Sequence, residues 1–94
     1  MSQIFVKDPD AELDYTFDWS DWLATGETIS SYVMTYPTGV TEGTGSQATT
    51  ESDGVVTYWV LGGTAGSDYD VACKITTSAG RKDERTATFK VKNR

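Results

Sequence analysis

The chain has no histidine, a single cysteine and two prolines. The missing histidine removes serine–histidine triads, acid–base imidazoles and the commonest metal ligand. With only Cys73, no disulfide can form within the chain, which points to synthesis in a reducing compartment. Long apolar runs are missing too. No stretch approaches the roughly 18 apolar residues of a membrane span, and the start, MSQIFVKDPD, lacks the basic and apolar regions of a signal peptide. Basic residues are few: 8 against 14 acids, for a net charge of −6. An acidic chain is a poor nucleic-acid binder, and neither nucleic acid nor membrane is expected as a partner.

The charge is unevenly spread. Residues 1–54 carry one base, Lys7, and ten acids, whereas residues 55–94 carry seven bases and four acids. The balances are −9 and +3. Two readings remain open: ordinary solvated strand faces, or complementary surfaces that help copies or partners dock.

What is present is alternation. Ninety-four residues make one expected domain, 1–94, whose core must be compact and aromatic-rich, in keeping with 12% aromatic content. Leu13, Tyr15, Phe17 and Trp19 alternate with Asp14, Thr16 and Asp18, as in a half-buried strand. Ile29 to Tyr36 reads as a second strand, with a bulge near Ser30 and Ser31 to reconcile its parity. The Gly/Ser/Thr-rich segment 42–54 suits a wide loop with a short edge strand around Gln47 to Glu51. Val55 to Leu61 is apolar on both parities except at Thr57, which suits burial on both faces or a partner over one. Tyr69, Val71, Cys73 and Ile75 form the clearest inward row. Ser78 to Lys82 reads as a hairpin turn, and Ala87, Phe89 and Val91 close the chain. Ile4 to Lys7 supplies a first strand. Short polar ends usually fray, so Met1 to Val6 and Lys92 to Arg94 are expected to order on docking. The fold class expected is all-β: a small antiparallel β-sandwich of six to seven strands, immunoglobulin-like or fibronectin-III-like. Tyr69 is placed to make a tyrosine corner.

The stretch FDWSDWLATGETI holds two tryptophans three residues apart. Trp19 ends an inward row and belongs to the core. Ser20 is expected to cap a short helical turn closed by Gly26, which folds Trp22 and Leu23 over one end of the sandwich. Contact of this turn with a ligand or partner is the other reading. In the second apolar strand, Val56, Tyr58 and Val60 as the inner row would leave Trp59 outward beside Thr57 and Leu61, a good interface anchor. The opposite register would bury Trp59 and expose Tyr58.

Catalytic and metal patterns are weak. Asp8, Asp10, Glu12 and Asp14 have calcium-loop spacing at first sight, but Leu13 stands where the loop needs glycine and Trp19 where it needs a bidentate glutamate. A looser calcium site using Asp8, Asp10 or Asp21 is conceivable, with a solvated acidic turn as the plainer reading. Carboxylates are plentiful, but a small sandwich offers no deep cleft to hold a sugar between two of them. Gly62 and Gly63 lack the helix and lysine of a phosphate loop. Cys73 lies on an apolar row and reads as a buried structural thiol. The sequence therefore assigns no catalytic residue, no metal ligand and no cofactor, and an enzyme is not expected.

Three stretches carry a resemblance. They are Lys7 to Tyr15 continuing to Asp18-Trp19-Ser20-Asp21-Trp22-Leu23; Trp59 to Gly66; and Tyr69 to Arg85 with its Thr-Thr-Ser-Ala-Gly-Arg hairpin. Together they resemble small tailed-phage virion proteins, the immunoglobulin-like fibre–tail adaptor or tail proteins. Met34 departs from the pattern, since similar proteins often carry tryptophan there. The resemblance implies a non-enzymatic bacteriophage structural protein, made in the host cytoplasm and built into the virion. It would dock tail, collar or fibre subunits in a symmetric multi-copy assembly. A capsid decoration protein or a host-glycan-binding module, using Trp22, Trp59 or Tyr58, is the alternative. Candidate interface residues are Trp59, Leu61, Trp22, Lys90 and Lys92.

Overall fold

A computed structural model describes residues 3–93. The period-two pattern becomes eight strands: β1 (Gln3–Lys7), β2 (Leu13–Asp18), β3 (Ile29–Thr35), β4 (Val40–Glu42), β5 (Thr50–Ser52), β6 (Val55–Gly62), β7 (Asp68–Thr77) and β8 (Lys82–Val91). They form two sheets. Sheet I has the order β1-β8-β7-β3; sheet II has β2-β6-β4, with β5 also paired to β6. β2 runs along one side of β6. β4 and β5 share the other, at opposite ends of it. Splitting consecutive strands β1, β2 and β3 between the sheets in this way gives the immunoglobulin-like sandwich the alternation implied.

The core is the meeting of the inward rows. Phe17, Trp19, Val56, Tyr58, Val60, Val71, Cys73, Ile75, Ala87 and Phe89 are all buried. Phe17 stacks on its sheet II neighbour Tyr58 at 4.7 Å between ring centroids, and Tyr15 meets Phe89 edge-on at 4.7 Å across the two sheets. The β6 register buries Val56, Tyr58 and Val60 and leaves Trp59 outward and half-buried. Burial lifts the Cys73 thiol to about 12, as suits a structural residue. The β3 bulge lies where the parity broke, between Ile29 and Ser31.

Several expectations need correction. There are eight strands among the described residues, and one pairing is not antiparallel: β1 lies parallel to β8, from Gln3 opposite Ala87 to Lys7 opposite Val91. Residues 3–6 are therefore strand, not a frayed end; Met1, Ser2 and Arg94 lie outside the described residues. The edge strand of the Gly/Ser/Thr-rich segment begins later, at Thr50, because Gly45–Gln47 forms a 3-10 turn. Val40–Glu42 pairs although only one of its three residues is apolar. Leu13 has inward parity but is 54% exposed, since it opens an edge strand at the rim. β6 is not buried on both faces; its outward row is half-buried.

Candidate docking surfaces

The two ends of the sandwich are locked by different chemistry. At one end β2 runs into the tryptophan turn. The Trp19 carbonyl accepts from the backbone N–H groups of Trp22 (2.9 Å) and Leu23 (3.0 Å), closing one turn. Asp18, not Ser20, caps it: its Oδ1 accepts from both the backbone N–H and the hydroxyl of Ser20. These bonds also hold the Asp18 carboxyl below its usual range. The Trp19 indole is fully buried and donates to Asp83 Oδ2 at 2.8 Å. Burying a large apolar side chain contributes roughly 1.5–3 kcal/mol, which makes Trp19 a main anchor of this end.

Two arginines from the β7–β8 hairpin close the same end. The Arg81 guanidinium lies 4.0 Å from the Trp22 ring centroid and that of Arg85 lies 4.8 Å from Trp19. Arg81 grips Glu27 through two donors, at 2.6 and 3.0 Å. Glu27 also accepts from the Thr77 hydroxyl and the Ala24 N–H. Hydrogen bonds from Arg81, first, then Thr77 and Ala24 pull the Glu27 carboxyl down to about 2. The arginines had a signal in the hairpin sequence, but no local pattern marks Glu27 as the partner of Arg81, 54 positions away.

The opposite end is tied by Lys7. This lysine is buried, and its ammonium donates to the carbonyls of Gly62 (2.7 Å) and Asp8 (2.9 Å). Desolvation draws its pKa down, against the pull of Asp8, Asp10 and Glu12. Nearby, the Tyr69 hydroxyl accepts from the Thr64 N–H at 3.0 Å, which is the expected tyrosine corner. Gly39 has φ +111°, and a Cβ there would come within 2.6 Å of the Tyr69 ring, so the close approach requires glycine. Asp8 Oδ1 accepts from the Asp10 N–H at 2.8 Å, the local acidic turn. Asp21 belongs to the tryptophan end, far from these two. Among the described residues no three acidic, histidine or cysteine side chains converge as metal ligands would.

The five candidate interface residues do not share one surface. Trp59 and Leu61 lie together on the outward row of β6. Trp22 lies at the tryptophan end, with Arg81 over its ring. Lys90 is on the outer face of sheet I, bridged to Asp68 at 3.2 Å. Lys92 is exposed beyond β8, at the Lys7 end. Trp22 and Trp59 stand apart, and Tyr58 is fully buried. The three therefore make no common stacking platform.

The described residues thus form a small immunoglobulin-like sandwich with both ends locked by internal bonds and with two outer sheet faces. A family model of the podophage GP4 fibre–tail adaptor protein gp77 matches residues 7–90, and the chain belongs to that family. A search of curated proteins finds no significant match. The matched span covers the Lys7 tie, the tryptophan turn, the tyrosine corner and the arginine hairpin, the motifs on which the resemblance rested.

Proposed function

We propose that this protein is a non-enzymatic virion component that joins fibre to tail by docking other virion proteins, and that it works in many copies. The observation that carries the reading is the family match over residues 7–90. Its build supports it: the motifs that mark the chain lock the ends of the sandwich and leave two sheet faces free for contact. The whole chain acts as one module. It is made in the host cytoplasm, where a lone buried thiol such as Cys73 stays reduced. Trp59 and Leu61 are the proposed anchors. Trp22, Lys90 and Lys92 are secondary contacts, because each lies on a different surface.

Immunogold electron microscopy of purified virions, with antibody to this protein, tests the reading. Label at the tail, collar or fibres is the expected result. Label over the head would make it a capsid decoration protein instead. Particles without the protein, together with binding of host polysaccharide by the free chain, would favour the glycan-binding alternative.

A further inference from the structure

Between Lys7 and Lys74 the chain contains no basic residue at all, yet that interval holds 12 of its 14 acids. All four strands of sheet II fall inside it. The outer face of this sheet therefore has a defined character. Val55, Thr57, Trp59 and Leu61 run half-buried down its central strand. Asp14 stands opposite Trp59, and Asp18 opposite Val55. Thr16, Thr41, Thr50 and Ser52 fill the flanks. Arg85 reaches only the backbone carbonyl of Asp18 at the rim. Acid without base around a half-exposed tryptophan suits a contact with a counter-charged rim and an apolar centre.

Among the described residues this chain has little to offer in return. Lys7 is buried on carbonyls, Arg81 is held by Glu27, and Lys90 by Asp68. Arg85 is within 3.8 Å of Asp83, and Lys74 stands opposite Glu84 in the β7–β8 register. Lys82 and Lys92 are left at opposite ends of β8. The outer face of sheet I mixes Lys74, Lys82 and Lys90 with Asp68, Asp70 and Glu84 and so has no basic patch.

We infer that the outer face of sheet II docks a different protein of the particle, through a surface that sets lysines or arginines around an apolar contact with Trp59, rather than a second copy of this chain. The inference rests on the adaptor reading. Single exposed ion pairs contribute little, but a one-signed face steers association and rejects like-charged surfaces.

The test is site-specific photocrosslinking within virions. A benzophenone amino acid replaces Thr57, and in a parallel preparation Thr88, on the outer face of sheet I. Crosslinked peptides are then identified by mass spectrometry. The expected result is a crosslink from position 57 to a lysine- or arginine-bearing peptide of another virion protein. Crosslinks from 57 to this same chain, or none from 57 in particles that contain the protein, would overturn the inference while the adaptor reading stands. Particles lacking the unmodified chain altogether would overturn both. As a second arm, Asp14→Lys with Thr16→Lys reverses the face at two exposed positions, and folding is verified by circular dichroism. Incorporation per particle should fall at least about tenfold, as for loss of about 1.4 kcal/mol of affinity. Thr88→Lys should leave it unchanged. Equal incorporation of the folded double variant would overturn the inference.

Discussion

The two sheets solve the same packing problem and treat charge in opposite ways. Sheet I contains the two ten-residue strands, β7 and β8, and sets its bases beside acids. Sheet II is assembled around β6 from shorter pieces and has no base in any strand. Both bury their inner rows completely at the centre. The difference lies only on the outside, where packing does not dictate it. A face that could be neutralised at little cost, and is not, is where selection for a partner would be visible in the chemistry.

Substitutions separate what the sheets share from where they differ, and the largest effect is expected in the shared core. Phe89→Ala strikes what the sheets share: Phe89 touches Phe5, Tyr15 and Tyr58 and is fully buried. It should cost about 3–5 kcal/mol in denaturant unfolding. Lys7→Met comes next. It keeps the aliphatic stem but leaves the Gly62 carbonyl without its donor, for a loss of about 1–3 kcal/mol. A far smaller loss would mean that the buried ammonium does not hold this end together. Third is Trp59→Ala. Its ring is half-buried on the outside, so unfolding stability should fall by no more than about 1 kcal/mol, whereas docking should lose about 2 kcal/mol or more. Equal losses would make it a packing residue.

The subtlest test is pH. The Glu27 carboxyl is depressed in the folded state to about 2 from an ordinary value of 4.5. Its contribution is therefore present above about pH 4.5 and is lost as pH falls toward 2. The melting temperature should drop across that window, and Glu27→Gln should start lower and fall less steeply. Identical slopes would place the acid sensitivity in other carboxylates.

Much of this was legible in sequence because alternation reports burial directly. The inner rows of β2, β7 and β8, the bulge in β3 and the tyrosine corner follow from residue types at local spacing. The parallel pairing of β1 does not, since nothing local distinguishes a parallel partner from an antiparallel one. β4 escaped because Val40-Thr41-Glu42 is too short and polar to show a period. The site was less readable than the fold. Trp59 and Leu61 were visible as an outward pair, but charge totals along the chain do not say which face a side chain occupies, so the separate surfaces of Trp22, Lys90 and Lys92 could not be read. The buried Lys7 and the Arg81–Glu27 grip were invisible because their partners are brought in by topology.

The most direct measurement is the amount of this protein per purified virion, by quantitative mass spectrometry, for Trp59→Ala beside Val33→Ala. Val33, 62% exposed, is one of the apolar residues on the outer face of sheet I, with Ile4 and Val6. The expected result is at least a tenfold loss of the Trp59→Ala chain and full retention of Val33→Ala. Retention of the first with loss of the second would show that the particle binds the other face, and would contradict the assignment of sheet II as the docking surface.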